Sequence, residues 1–132
     1  KAEIFYGENR GDVHHFARSV VDAGADIVLG HGPHVTRAVE VYKNKFIAYS
    51  LGNFNTYGRF SLTGDKGIAP LLDIKLKSNG DFLSAKVVSV KQTKERGLEL
   101  DAENRAFQRI KQLTKLDFPE QNLKFEENTI KL

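Results

Sequence analysis

Apolar residues recur at Val13, Phe16, Ala17, Val20 and Val21, a spacing that lines one face of a helix. Asp12 stands where an N-cap belongs, and Gly24 stands where a glycine would end the helix. Ile27-Val28-Leu29 follows as a short apolar run, which predicts a strand delivering Gly30-His31 at its end. Residues 38–42 and 46–49 are rich in β-branched and aromatic side chains, with Lys43-Asn44-Lys45 between them, and predict a hairpin. Leu72, Ile74 and Leu76 alternate with Asp73, Lys75 and Lys77, as in a strand with one wet face. Ser78-Asn79-Gly80-Asp81 turns that strand into a return strand ending near Lys91. Asp101 is placed to cap a second helix, with Ala106, Phe107, Ile110 and Leu113 as its apolar stripe. Residues 55–67 predict a surface loop, and the tail from Leu116 predicts an irregular packed segment. The pattern is that of an α/β fold in a single domain, residues 1–132.

Composition narrows this picture modestly. A chain of 132 residues is long enough to bury a core, and 40% hydrophobic with 28% charged residues is ordinary for a globular domain. The net charge of +3 is small and spread along the chain, so no nucleic-acid partner is expected. No cysteine is present, so a metal here would take nitrogen or oxygen ligands. No methionine is present either, and the chain starts at Lys1, as expected of a piece of something longer whose N-terminal part is missing. The opening Lys1-Ala2-Glu3-Ile4-Phe5-Tyr6 does not read as a signal peptide.

The candidate chemistry concentrates at Gly30-His31-Gly32-Pro33-His34. Strand ends are where α/β proteins assemble their sites, and neutral imidazole is the commonest ligand of transition metals. Pro33 stiffens the loop and biases Gly32 away from helix. His31 and His34 are therefore candidate metal ligands, the alternative being two turn histidines satisfied by backbone. Ser50 and Asn53, in the segment Ser50-Leu51-Gly52-Asn53-Phe54, face the same pocket if the two strand ends meet. Asn53 is then placed to supply a ligand oxygen or orient an anion. Glu8 and Arg10 lie in a polar cluster just before the first helix, where free N–H groups favour an anion, and Arg10 is suited to clamp a carboxylate or phosphate. Arg37, after the histidine loop, is a further anion candidate. His14 and His15 are expected on the helix surface.

The stretch GADIVLGHGPHVTRAVEVYKNKFIAYSLGNF, residues 24–54, closely resembles CapA-type poly-γ-glutamate capsule biosynthesis proteins, a branch of the calcineurin-like metallophosphoesterases. The preceding FYGENRGDVHHFARSVVDAGAD is similar to the same family's approach to that motif. The resemblance implies a four-layer αββα sandwich of which this chain is the C-terminal half. It implies that His31 and His34 ligate a divalent metal (Mn, Zn or Fe, possibly two ions) in a site left incomplete by this chain. The missing ligands would come from N-terminal motifs, in the same or a separate chain, and the common GHxH form has one intervening residue where Gly32 and Pro33 stand here. Implied too are an extracytoplasmic place at the cell envelope and an anionic polymer, poly-γ-glutamate, as the ligand that Glu8, Arg10, Arg37 and Asn53 would meet. Metal-dependent hydrolysis of a phosphoester or amide-linked polymer is the implied reaction when the N-terminal part is present. A non-catalytic binding or scaffolding module for that polymer is the rival reading.

Overall fold

The computed structural model describes residues 7–132 fully and residues 2–5 in backbone; Lys1 and Tyr6 of the opening segment lie outside the described residues. Strands β1 (Ala2–Phe5) and β2 (Glu8–Asp12) form an antiparallel hairpin, pairing Ala2 with Asp12 and Phe5 with Glu8. The polar cluster around Arg10, just before the first helix, is thus strand. Asp12 caps helix α1 (Val13–Asp22) as expected, its carboxylate accepting the N–H groups of His14 and His15, each at 3.0 Å. Of the apolar stripe, Ala17 and Val21 are buried and Val13 and Val20 half-buried, but Phe16 is 68% exposed.

A three-stranded sheet follows, with β3 (Ile27–Leu29), β4 (Val39–Tyr42) and β5 (Lys45–Ala48) in the order β3-β5-β4. The β4–β5 hairpin forms where the sequence predicts it, closed by Lys43 and Asn44, both with positive φ. β3 runs parallel to β5, pairing Ile27 with Phe46 and Leu29 with Ala48. Alternation along β5 sets the two faces of the sheet. Ile47 packs with Ala17 and Val21 of α1, whereas Val39, Phe46 and Ala48 face the second sheet.

That second sheet is five-stranded and antiparallel. Its long strands β6 (Ile68–Leu76) and β7 (Phe82–Thr93) pair along most of their length, with β8 (Gly97–Leu100), β9 (Lys124–Glu126) and β10 (Thr129–Lys131) completing it. Phe46 and Phe82 stack across the interface with ring centroids 4.9 Å apart. Helix α2 (Arg105–Asp117) adds Phe107 and Ile110 to this core. Together with the segment that follows it, α2 also covers the outer edge of β4. Thr114 Oγ1 accepts the Val39 N–H and Gln121 Oε1 accepts the Val41 N–H, each at 3.0 Å, so the free donors of that edge are satisfied.

One expectation needs correcting and two gain detail. The tail is not irregular: Glu127 and Asn128 adopt positive φ and close a tight β9–β10 hairpin whose Ile130 is fully buried. The loop before β6 contains a short 3-10 turn at Gly64–Gly67. Asp101 does cap α2, but from outside the helix: its Oδ2 accepts the Arg105 N–H at 2.9 Å while Asn104 occupies the N-cap position.

Candidate functional site at the ends of β3 and β5

Because β3 and β5 are parallel neighbours, their C-terminal ends emerge side by side, and the two loops they feed are tied together. The Gly30 N–H donates to Ala48 O and the Leu51 N–H donates to Gly30 O, both at 2.8 Å. The Arg37 N–H donates to Ser50 O at 3.0 Å, and Thr36 bridges to Leu51. The approach is so close that a Cβ at Gly30 would strike the Tyr49 carbonyl oxygen. Ser50 is buried, and its Oγ accepts the Gly52 N–H at 3.2 Å, which spends it on the turn rather than on a pocket.

The expected meeting of the histidine loop with Asn53 is present. His34 sits in the left-handed region (φ 58°), at the end of a turn in which its N–H donates to His31 O at 3.1 Å. Its Nδ1 lies 3.0 Å from Asn53 Oδ1, and Asn53, almost fully buried, donates from Nδ2 to Lys66 O at 3.3 Å. His31 Nδ1 lies 3.4 Å from Gly52 O, a longer contact. In both rings an oxygen faces Nδ1, which favours the Nδ1–H tautomer, the one whose Nε2 carries a lone pair. Metal-binding imidazoles are held in this way. The donor chemistry of the pair therefore fits a divalent metal, but the number does not. Among the described residues no group of three or more His, Cys, Asp or Glu is placed to hold an ion, and two ligands do not fill a coordination sphere.

The other candidates are placed apart from this pair. Arg37 is exposed just beyond the histidine loop. Glu8 and Arg10 are exposed on β2, in the hairpin that precedes α1.

One cluster escaped the sequence reading. The Glu40 carboxylate is fully buried between β4 and α1, where Oε1 accepts from Arg18 Nε at 3.0 Å and from Arg18 Nη2. Its Oε2 accepts from the Tyr49 hydroxyl at 2.7 Å. Burial, and then the bond to Glu40, push the Tyr49 phenol well above its ordinary range, and the Glu40 hydrogen bond raises the Arg18 guanidinium. His14 is not simply a surface residue: its ring is half-buried against Tyr49 and Phe118, with Nε2 3.8 Å from Glu40 Oε2. The available signal was the i, i+4 pair His14 and Arg18 facing a strand whose one acidic residue, Glu40, interrupts an apolar run.

Comparison with known proteins agrees with the resemblance read from the sequence. Residues 8–57 match the family described as bacterial capsule synthesis protein PGA_cap. Over 64 residues the chain is 45% identical to the capsule biosynthesis protein CapA of Bacillus anthracis, a match covering 48% of this chain and 15% of that protein. It is 47% identical over 64 residues to the PGA biosynthesis protein CapA of Bacillus subtilis (strain 168), covering 48% of this chain and 16% of that one. A probable polyglutamine synthesis accessory protein of Mycobacterium tuberculosis is 44% identical over 48 residues, 36% of this chain and 12% of that protein. The chain thus spans only about a sixth of the length of the curated relatives it matches. All the residues of the two tied loops fall inside the matched stretch.

Proposed function

We propose that this chain is part of a capsule-biosynthesis protein of the CapA type, and that His31 and His34 are two ligands of a divalent-metal site whose other ligands come from outside it. The observation that carries this reading is the His34–Asn53 contact, 3.0 Å across two loops delivered by parallel strands, which holds an imidazole in the tautomer a metal needs. The ligand count favours completion by another segment, as does the edge of β3. That strand pairs only with β5 among the described residues, and Leu29 on it and Phe16 on α1 are largely exposed. Parallel sheets are normally covered on both faces and extended by further strands, so an additional strand beside β3 is the natural completion. The sequence α1, three-stranded sheet, five-stranded sheet would then make up part of a four-layer αββα sandwich.

A bound Mn, Zn or Fe ion would supply Lewis acidity and an activated water, the chemistry of phosphoester or amide hydrolysis. The chain's own contribution is positional. Gly30 and Gly52 let the two loops touch, Asn53 orients His34, and Arg37, exposed just beyond the histidine loop, offers a cation to an anionic group. In this reading the ligand is an anionic poly-γ-glutamate at the cell envelope, outside the cytoplasm, with Glu8 and Arg10 on the β1–β2 hairpin as more distant contacts. Among the described residues no helix is long and apolar enough to cross a membrane.

The test is metal content by elemental analysis of the longest chain that carries this segment, beside its His31→Ala/His34→Ala variant. One or two equivalents lost in the variant are expected. No metal in either protein would end the metal reading. The incomplete ligand set favours a second reading in that event, a non-catalytic module that binds the polymer without metal.

A further inference from the structure

A cleft of about 600 Å³ opens between the loop after Asn53 and the turn that joins β7 to β8. One wall is loop backbone and side chains from Asn55 to Leu62; the other is Gln92, Thr93 and Lys94. The walls are clasped together by a nearly buried amide. Gln92 Oε1 accepts from the Thr56 N–H at 2.9 Å and from Thr56 Oγ1 at 3.2 Å, while Gln92 Nε2 donates to Thr56 O at 2.6 Å. The cleft is therefore braced, and its volume lies within the roughly 300–1,000 Å³ of small-ligand sites.

Its chemistry is selective. No aspartate or glutamate lines it. Lys94 is in the wall and Arg59 in the loop beside it, and neither pairs with a carboxylate among the described residues. Of the neighbouring cations, Lys91 and Arg96 share the Glu99 carboxylate and Arg109 pairs with Asp65. Tyr57, at 97% exposed, and Phe60 give the cleft an aromatic surface, which suits an occupant with apolar carbon between its charges. Phe60 also meets the His34 ring at 5.6 Å between centroids, so the cleft leads to the histidine loop.

We infer that this cleft is the binding groove for a short run of an amide-linked polycarboxylate, with Lys94 and Arg59 taking its carboxylates and Tyr57 and Phe60 its methylenes. The inference rests on the capsule-polymer reading above and adds where, and by which groups, the polymer is held. It competes with an acidic polysaccharide, which carries carboxylates on sugar rings instead of a polyamide chain.

The test is a titration of the isotope-labelled chain with a γ-linked glutamate decamer, followed by amide NMR at low ionic strength. Saturable shifts are expected at residues 55–62 and 92–97. Binding should be weaker by about tenfold or more in Lys94→Glu/Arg59→Glu, as for charges facing a charged partner, and weaker also in Tyr57→Ala. The spectra of the variants report whether they stay folded. Unchanged affinity in the charge variant, or shifts confined to other lysine-bearing surfaces, would overturn the groove, and so would equal affinity for a polygalacturonate of matched length. A chelator is expected to leave cleft binding unchanged. Decamer binding in a protein without metal would leave the groove standing and remove only the metal site; metal without decamer binding would do the reverse.

Discussion

The imidazole of His34 and the carboxamide of Asn53 are held 3.0 Å apart, although 19 residues separate them in the chain. Neither partner is free to turn. Asn53 is clamped by its donor bond to Lys66 O, and His34 is fixed in the left-handed region by a turn. With Nδ2 committed to a carbonyl, Asn53 offers His34 an acceptor oxygen, so the proton belongs on Nδ1.

Asn53→Ala should therefore release the tautomer. Long-range ¹H–¹⁵N NMR on the wild-type chain is expected to show the neutral His34 ring as the Nδ1–H tautomer, and the variant a mixture of tautomers. In the longest chain carrying the segment, metal affinity should fall by about 10–100-fold, the usual effect of removing an outer partner of a ligating histidine. An unchanged tautomer would mean that the turn, not Asn53, orients the ring.

Gly30→Ala tests the contact between the two strand ends. The new Cβ would collide with the Tyr49 carbonyl, a backbone atom that cannot swing aside, and the strand ends would have to separate. A loss of about 1–3 kcal/mol is expected in urea denaturation, as for other overpacked positions. Gly24→Ala is the contrasting control, since its Cβ would meet open space and only the positive φ opposes it. Equal losses at the two positions would show that the close approach at Gly30 is not what matters there.

Much of this architecture is legible in the residues, and the failures have physical causes. Asp12 and the apolar spacing specify α1, and Lys43-Asn44 specifies the β4–β5 turn, because each depends on neighbours in sequence. Phe16 belongs to the same stripe yet is exposed, because Ala17 and Val21, not Phe16, are the residues that meet Ile47 of the sheet beneath α1. The β9–β10 hairpin is three residues per strand and turns on Glu127, which is not a residue that favours positive φ. Its stability comes from Ile130 entering a core built by distant strands. The histidine loop and Asn53 could be named from their motifs. That they touch depends on β3 pairing in parallel with β5, a long-range fact that local spacing does not encode.

The buried Glu40 makes a strong prediction about stability. Arg18→Ala would leave a carboxylate with no exposure and, among the described residues, the Tyr49 hydroxyl as its remaining hydrogen-bond donor, with His14 Nε2 3.8 Å away. Removing one partner of a buried ion pair typically costs about 3–5 kcal/mol. Replacing both charges together, as Arg18→Met/Glu40→Leu, should cost much less, because no unpaired charge then remains. Thermal and urea denaturation of the single and double variants would check this. A double variant as unstable as Arg18→Ala would point to packing of the Arg18 stem on Tyr42, where the guanidinium lies 4.7 Å from the ring centroid, as the larger contribution.

Asp101 should govern part of the response to acid. Burial works to raise its carboxyl, but the two-point bond to the Arg105 guanidinium and the Arg105 N–H outweigh burial and hold it below its ordinary value. A group whose pKa is lower folded than unfolded binds fewer protons in the folded state, so it adds stability above the unfolded value of about 3.9. That stability is lost as pH falls from there through the lower folded value. Asp101→Asn removes the titrating group and the charge that draws Arg105 onto the start of α2. Its stability should be lower than wild type at neutral pH, with the gap narrowing as the pH drops below 4. Urea midpoints measured across that range would decide it: a constant gap would mean that Asp101 contributes through its hydrogen-bonding shape alone, and not through its charge.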